Sequence, residues 1–261
     1  AATFGYTVWL RPQELHLGKG VAASGPLATR LGLSGVPVAA ETIALHTIFE
    51  LMRATKARVH LCRISSAAGV ELVRQAKAEG LPVTCDVSIN SLHLTDHDIG
   101  FFDSRMRVTP VLRQQRDRDA LRAALADGTI DALVSDHTPV DEDHKALPFA
   151  ESEPGATGLE LLLSLTLKWA QDSQVALPAA LATITRRPAA VMDSALGGLS
   201  GQIGSLSVGS VADVCLFDPQ AHWTVQPDAL RSEGKHTPFS GYELPGRVRA
   251  TLVAGVLAFQ A

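Results

Sequence analysis

Apolar residues recur along this chain with two alternating periods. The run Tyr6-Thr7-Val8-Trp9-Leu10 is β-branched and aromatic, which predicts a strand over 7–11, and a Gly-rich loop follows through Leu33-Ser34-Gly35-Val36-Pro37. Ile43, Leu45, Ile48, Phe49, Leu51 and Met52 fall at helical spacing and predict a helix over 40–54. A short apolar run over 58–64 reads as a strand. The next helix is opened by Ser65-Ser66 as candidate N-caps and closed by Gly80. Strands are predicted over 81–87 and 130–135, the second ending in Asp136-His137. Arg107-Val108-Thr109-Pro110 reads as a strand end, and helices are expected over 117–126, 158–171 and 177–192.

Strand and helix alternating at this spacing imply parallel βα units. Polar residues gather where the strands end: Arg63, Asp86, Asn90, Thr109 and Asp136. Those ends form the functional rim of a (β/α)₈ barrel and the ligand crevice of an open Rossmann-like sheet, so the pattern alone admits both. No GxGxxG or GxxxxGK[ST] follows a strand, which weakens the nucleotide-binding alternative. After about residue 195 the texture changes. Gly197, Gly198, Gly201, Gly204 and Gly209 punctuate short β-type runs over 203–208, 212–217, 223–225 and 247–259. Two units follow: a βα unit over 1–195 and a small β module over 196–261.

Composition narrows the function classes. The 261 residues suffice for a large core, and 46% of them are apolar. A net charge of −4 without a basic stripe argues against nucleic acid and against a membrane surface. No apolar stretch approaches the roughly 18 residues of a membrane span. Cys62, Cys85 and Cys215 are odd in number and lack CxxC spacing, which suits reduced thiols in a cytoplasmic protein. The chain opens on Ala1 almost directly against a strand, which suggests a truncated or cleaved product.

Seven segments, in order, resemble the motifs of class I dihydroorotases of the amidohydrolase superfamily. Ser135-Asp136-His137-Thr138-Pro139 resembles T-D-H-A-P-H; the stretch 58–66, containing His60 and Arg63, resembles H-I-x-H-V-S-T; and 81–87 resembles V-T-x-E-V. Thr109-Pro110-Val111-Leu112-Arg113 resembles N-P-P-L-R, and Asp127-Gly128-Thr129-Ile130-Asp131 resembles D-G-x-I-D. Pro154-Gly155 through Glu160 resembles P-x-G-x-x-G-L-E, and Gly204 through Asp213 resembles G-x-L-x-x-G-x-x-A-D. The resemblance implies an α/β fold, a (β/α)₈ TIM-type barrel of which this chain carries the part from about the fifth strand onward, with the C-terminal part of a composite β module. It also implies a cyclic amide hydrolase of pyrimidine biosynthesis with zinc at a binuclear centre. The first four strands, which carry the family's HxH pair, lie outside this chain.

Against that pattern the site is altered. The resemblance assigns Asp136 to the carboxylate that ligates metal and moves the proton of the attacking water. The ligand position of the fifth strand falls on Leu10, which has no lone pair. That of the sixth strand falls on Arg63, whose guanidinium only donates and repels a cation. His60 stands three residues before Arg63, and alternation points it to the other face. Family substrate-binding positions fall on Thr109, Arg113, Val140, Pro154 and Gly155, with Thr109 and Val140 replacing an Asn and a His. The expectation is therefore a dihydroorotase-like protein with zinc absent or weakly bound. Its expected role is structural, with aspartate carbamoyltransferase, the missing N-terminal half of the barrel and further copies of itself as partners. The alternative is an active dihydroorotase with an unusual metal site. Arg63 facing Asp136 is expected to neutralise the site where a metal once did. The cluster His93-Leu94-Thr95-Asp96-His97-Asp98 is expected to be a solvated turn, and the acidic stretch 141–145 a mobile lid.

Overall fold

The computed structural model describes residues 1–196 and 202–261. The boundary expected at 195/196 therefore abuts undescribed residues, and Gly197, Gly198 and Gly201 lie outside the described set. The N-terminal part holds β1 (Thr7–Leu10), β2 (Ala22–Ala23), α1 (Pro26–Leu31), β3 (Gly35–Val36), α2 (Ala39–Thr55) and β4 (Arg58–Leu61). It continues through α3 (Ala67–Ala78), β5 (Val83–Ser88), α4 (Ile89–His93), α5 (Gln115–Asp127) and β6 (Ala132–Val134). Then come α6 (Glu142–Ala146), α7 (Leu162–Asp172), α8 (Leu177–Ala182) and α9 (Arg186–Leu196), followed by β7 (Val214–Thr224), β8 (Glu243–Val253) and β9 (Val256–Gln260).

Four strands pair in parallel in the order β1-β4-β5-β6, so all their carboxyl ends open on one side. Helix α3 starts where the sequence marks it: Ser66 caps it, its hydroxyl accepting from the Gly69 amide at 3.0 Å. The helices pack their apolar stripes on the sheet through Leu45, Phe49, Met52, Val70, Val73, Leu121 and Leu125, all buried. Burial of that apolar surface is what holds the parallel strands together.

The second sheet is antiparallel, in the order β7-β8-β9. It seats on α7, where Ser164 donates to the Gly246 carbonyl at 2.9 Å and accepts from the Trp223 indole at 3.1 Å. Gly246 has φ +87, which strains any residue with a side chain, and an added Cβ would force Leu167 Cδ1, 2.2 Å away, to shift. Val225, Leu230, Phe239 and Leu244 belong to the same core cluster as the parallel sheet, so that core continues past residue 196.

Some elements differ from expectation. Residues 107–110 form no strand; a single 3₁₀ turn, Ser104–Met106, precedes them and Lys145 holds the loop. The expected helix 177–192 is two helices, α8 and α9. The expected strand over 203–208 is absent, and the runs at 212–217 and 223–225 are parts of one long strand, β7. The solvated turn at 93–98 is instead buried at His93, Thr95 and Asp96, with His93 Nε2 donating to the Leu165 carbonyl at 3.0 Å. Its burial lowers the His93 pKa to about 3, so the ring is neutral. The expected lid is a short helix pinned from beneath. Lys145 is 3% exposed and its Nζ donates to the carbonyls of Ser104 and Arg107 at 3.1 and 3.0 Å. Among the described residues, no helix is long and apolar enough to cross a membrane.

Candidate functional site

The strands deliver their last side chains to one rim, and two kinks aim them. Arg63, two residues past β4, has φ 61, and Asp136, two residues past β6, has φ 50. Left-handed backbone is uncommon for residues with a side chain and must be held by its surroundings. The Arg63 kink is held by its own amide, which donates to Asp86 Oδ1 at 2.7 Å. The turn swings the guanidinium across the strand ends to Asp136, with Nη1 2.6 Å from Oδ1. The same Nη1 lies 3.4 Å from the Thr109 carbonyl oxygen. The Asp136 side chain is 6% exposed and that of Arg63 28%, so this is a half-buried pair rather than a solvated one.

A cavity beside the pair is lined by Arg11, Arg63, Asn90, Thr109, Asp136, Pro154 and Gly155. The structure thus brings together Asp136, Thr109, Pro154 and Gly155 among the sequence-derived site residues. Gly155 is required by close approach, because a Cβ there would sit 2.5 Å from the Thr138 carbonyl oxygen and 2.8 Å from Val140 Cγ2. Val140 is buried behind this turn and does not line the cavity. Arg113 is buried one layer away, its Nε donating to Ser65 Oγ at 2.9 Å. Leu10 does not face the pair. It lines a groove with Val8, Ile48 and Leu51 on the α2 side of the sheet, and Arg11 is the residue of this segment that turns to the site. The expected vacancy at Leu10 is therefore a cation at Arg11.

Partial burial and the nearby Arg63 cation lower the Arg11 pKa, while Asp136 opposes the shift. Sequence reasoning missed Arg11 because strand alternation cannot be projected past the strand's last residue. It also missed Glu41, a buried carboxylate on α2 that accepts from the Ser65 amide at 2.8 Å and the Ser66 hydroxyl at 2.6 Å. The available signal was a lone Glu beside an apolar helical stripe. His137 is structural here: its Nδ1 accepts from the amides of Gly158 and Leu159 at 3.2 and 3.3 Å, ordering the start of the following 3₁₀ turn.

Among the described residues, the groups in contact with Asp136 offer no further metal ligand. The carboxylate is engaged by one guanidinium and faces a second, and neither offers a lone pair. Deeper in the sheet, His60, Cys62 and Asp86 place one donor atom each within 4.8 Å of one another. The His60 side chain and the Arg63 backbone amide both meet Asp86, while the Arg63 guanidinium reaches Asp136 instead. His60 Nε2 lies 2.9 Å from Asp86 Oδ2, His60 Nδ1 lies 2.8 Å from Thr84 Oγ1, and the Trp9 ring packs on the imidazole. Burial and the Asp86 charge raise the Cys62 pKa, which keeps the thiol protonated. His60 and Asp86 are bonded to each other, and the second Asp86 oxygen accepts from the Arg63 amide, while Cys62 Sγ lies beside them.

Residues 30–259 match the model of the Amidohydrolase family. Over 261 residues the chain is 44% identical to a dihydroorotase-like protein of Pseudomonas aeruginosa, covering all of this chain and 60% of the relative. It is 37% identical over 262 residues to a dihydroorotase of Geobacter sp. strain M21, again over 60% of the relative's length. Among solved structures, the L-hydantoinase (dihydropyrimidinase) of Arthrobacter aurescens superposes with a TM-score of 0.86 at 26% identity, over 99% of this chain and 58% of that one. The chain thus spans about three fifths of the length of the relatives it matches. With its parallel sheet, its antiparallel module and a match through most of its length, the chain belongs to the amidohydrolase family.

Proposed function

We propose that this chain is the second half of a dihydroorotase-like (β/α)₈ barrel in which an ion pair has replaced the metal centre. On this reading the protein does not perform metal-dependent ring-amide hydrolysis and serves as a structural partner of aspartate carbamoyltransferase in cytoplasmic pyrimidine biosynthesis. The observation that carries it is the 2.6 Å contact between Arg63 and Asp136. In the chemistry of cyclic amide cleavage a metal supplies a hydroxide and polarises the carbonyl. Here the carboxylate that would bind the metal and move the proton is committed to a guanidinium.

The barrel reading is supported by what the sheet leaves uncovered. Edge strand β1 and its flanks expose Phe4 at 74%, Tyr6 at 65% and Trp9 at 49%. Exposed aromatic edges invite pairing or aggregation, and closure by further strands removes them. The remaining two fifths of the relatives' length is the natural source of those strands. Homo-oligomerisation is part of the same proposal.

The test is dihydroorotate hydrolysis by the full-length protein with added zinc, beside Asp136→Asn, together with bound-metal analysis. Absence of turnover and of stoichiometric zinc, with co-purification of aspartate carbamoyltransferase, supports the reading. Turnover that disappears in Asp136→Asn overturns it. The competing reading, an active dihydroorotase with an unusual metal site, is favoured by one observation, the His60–Cys62–Asp86 trio. Zinc retained by the wild type and lost in Cys62→Ala would support that reading.

A further inference from the structure

Beside the Arg63–Asp136 pair lies a second cavity, of about 180 Å³, contiguous with the first through Arg11, Arg63 and Thr109. Its wall carries Arg11, Lys19, Arg63, Arg107 and Arg113. The carboxylates on the two cavities are Glu41 and Asp136, so five cations face two anions in a chain whose net charge is −4. Neither carboxylate is free to balance the remainder. Glu41 is saturated by Ser65 and Ser66, and Asp136 is taken by Arg63.

Two of the four guanidiniums lack partners. Among the described residues, Arg11 and Arg107 make no side-chain hydrogen bond or ion pair, and Arg107 Nε is buried without a hydrogen-bond partner. A buried guanidinium nitrogen left unpaired is costly, and guanidiniums repel one another unless an anion sits between them. Burial lowers the Arg107 pKa, and burial followed by the Arg63 charge lowers that of Arg11 against the opposing pull of Asp136. Fixed planar forks are suited to carboxylate and phosphate oxygens, which they engage in pairs. At about 180 Å³ the arginine-lined cavity has room for a small anion, and it opens toward the larger space beside Asp136.

We propose that the cavity ringed by Arg11, Arg63, Arg107 and Arg113 binds a small anion through its carboxylate or phosphate oxygens. This rests on the reading that the site holds no metal, and it assigns the altered centre a ligand of its own. Arg11 and Arg107 supply the unpaired donors, Arg63 orients between anion and Asp136, and Arg113, braced on Ser65, sets the back wall.

The experiment is isothermal titration of full-length protein at low ionic strength, in the presence of chelator, with inorganic phosphate in one arm and succinate in the other. Chloride serves as the control. Saturable binding of about one anion per chain, tighter than ~1 mM, is expected for at least one arm. The arm that binds identifies the source as phosphate or dicarboxylate. Arg11→Gln and Arg107→Gln should each weaken it about tenfold, which corresponds to about 1.4 kcal/mol. Arg107→Lys should recover part of the affinity, a result that a purely structural role for Arg107 does not produce. Unchanged urea midpoints for the variants establish that they fold. No saturable binding in either arm, or binding indifferent to both Gln variants, overturns the proposal. Zinc-dependent dihydroorotate turnover would instead overturn the preceding reading, so the two failures are separable.

Discussion

Replacing Arg63 by Met leaves Asp136 inside the site without its partner, and the cost follows from where the pair sits. An exposed ion pair contributes ~0–1 kcal/mol, while removing one member of a fully buried pair costs about 3–5 kcal/mol. With side chains 28% and 6% exposed, the Arg63–Asp136 pair lies between these limits. Arg11 attracts the same carboxylate and offsets part of the loss. The expected penalty for Arg63→Met is about 2 kcal/mol, or roughly a 1 M drop in urea midpoint. Asp136→Leu alone should cost a similar amount, because it leaves the guanidiniums of Arg11 and Arg63 facing one another. The double variant replaces both charges by apolar groups and should lie within about 1 kcal/mol of wild type. The assay is a double-mutant cycle by urea denaturation of the full-length protein. A coupling energy of roughly 3 kcal/mol is expected; one under about 0.5 kcal/mol would refute the reasoning that each charge is stranded without the other.

Three further outcomes follow from other parts of the molecule. Burial and Arg107 depress the Lys145 pKa from 10.5 to about 8, so the folded state loses the proton first and this group destabilises the protein below pH 8. Stability from this group should therefore rise between pH 8 and 10.5 by on the order of 3 kcal/mol, and Lys145→Met should abolish that rise; parallel pH profiles for the two proteins would refute it. Gly246→Ala combines positive φ with a Cβ 2.2 Å from Leu167 Cδ1, and should lower stability by about 2 kcal/mol in the same urea assay; a wild-type midpoint would show that the β module slides on α7. Thiol labelling at pH 8 should reach exposed Cys215 first and leave Cys85 unmodified until the chain unfolds, since burial raises the Cys85 pKa; early labelling of Cys85 would contradict the packed sheet.

What the sequence determined by itself is what is local. Helix α2, the Ser66 cap of α3, and strands β4, β5 and β6 follow from periodicity, capping and short apolar runs, each decided within a few residues. The pairing of Arg63 with Asp136 was legible because motif positions place both at strand ends of one sheet. What only the tertiary structure decided is where side chains go once regular geometry stops. Leu10 turned to α2 and Arg11 to the site, because the register of β1 against β4 sets which face each residue presents. Residues 107–110 read as a strand by composition, yet the Lys145 ammonium, a side chain distant in sequence, holds that loop in place. His93 and Lys145 look like surface residues in a polar stretch, and both are buried because the core closes over them and offers carbonyl acceptors. Periodicity reports a residue's neighbours along the chain, and these outcomes depend on neighbours that only folding brings near.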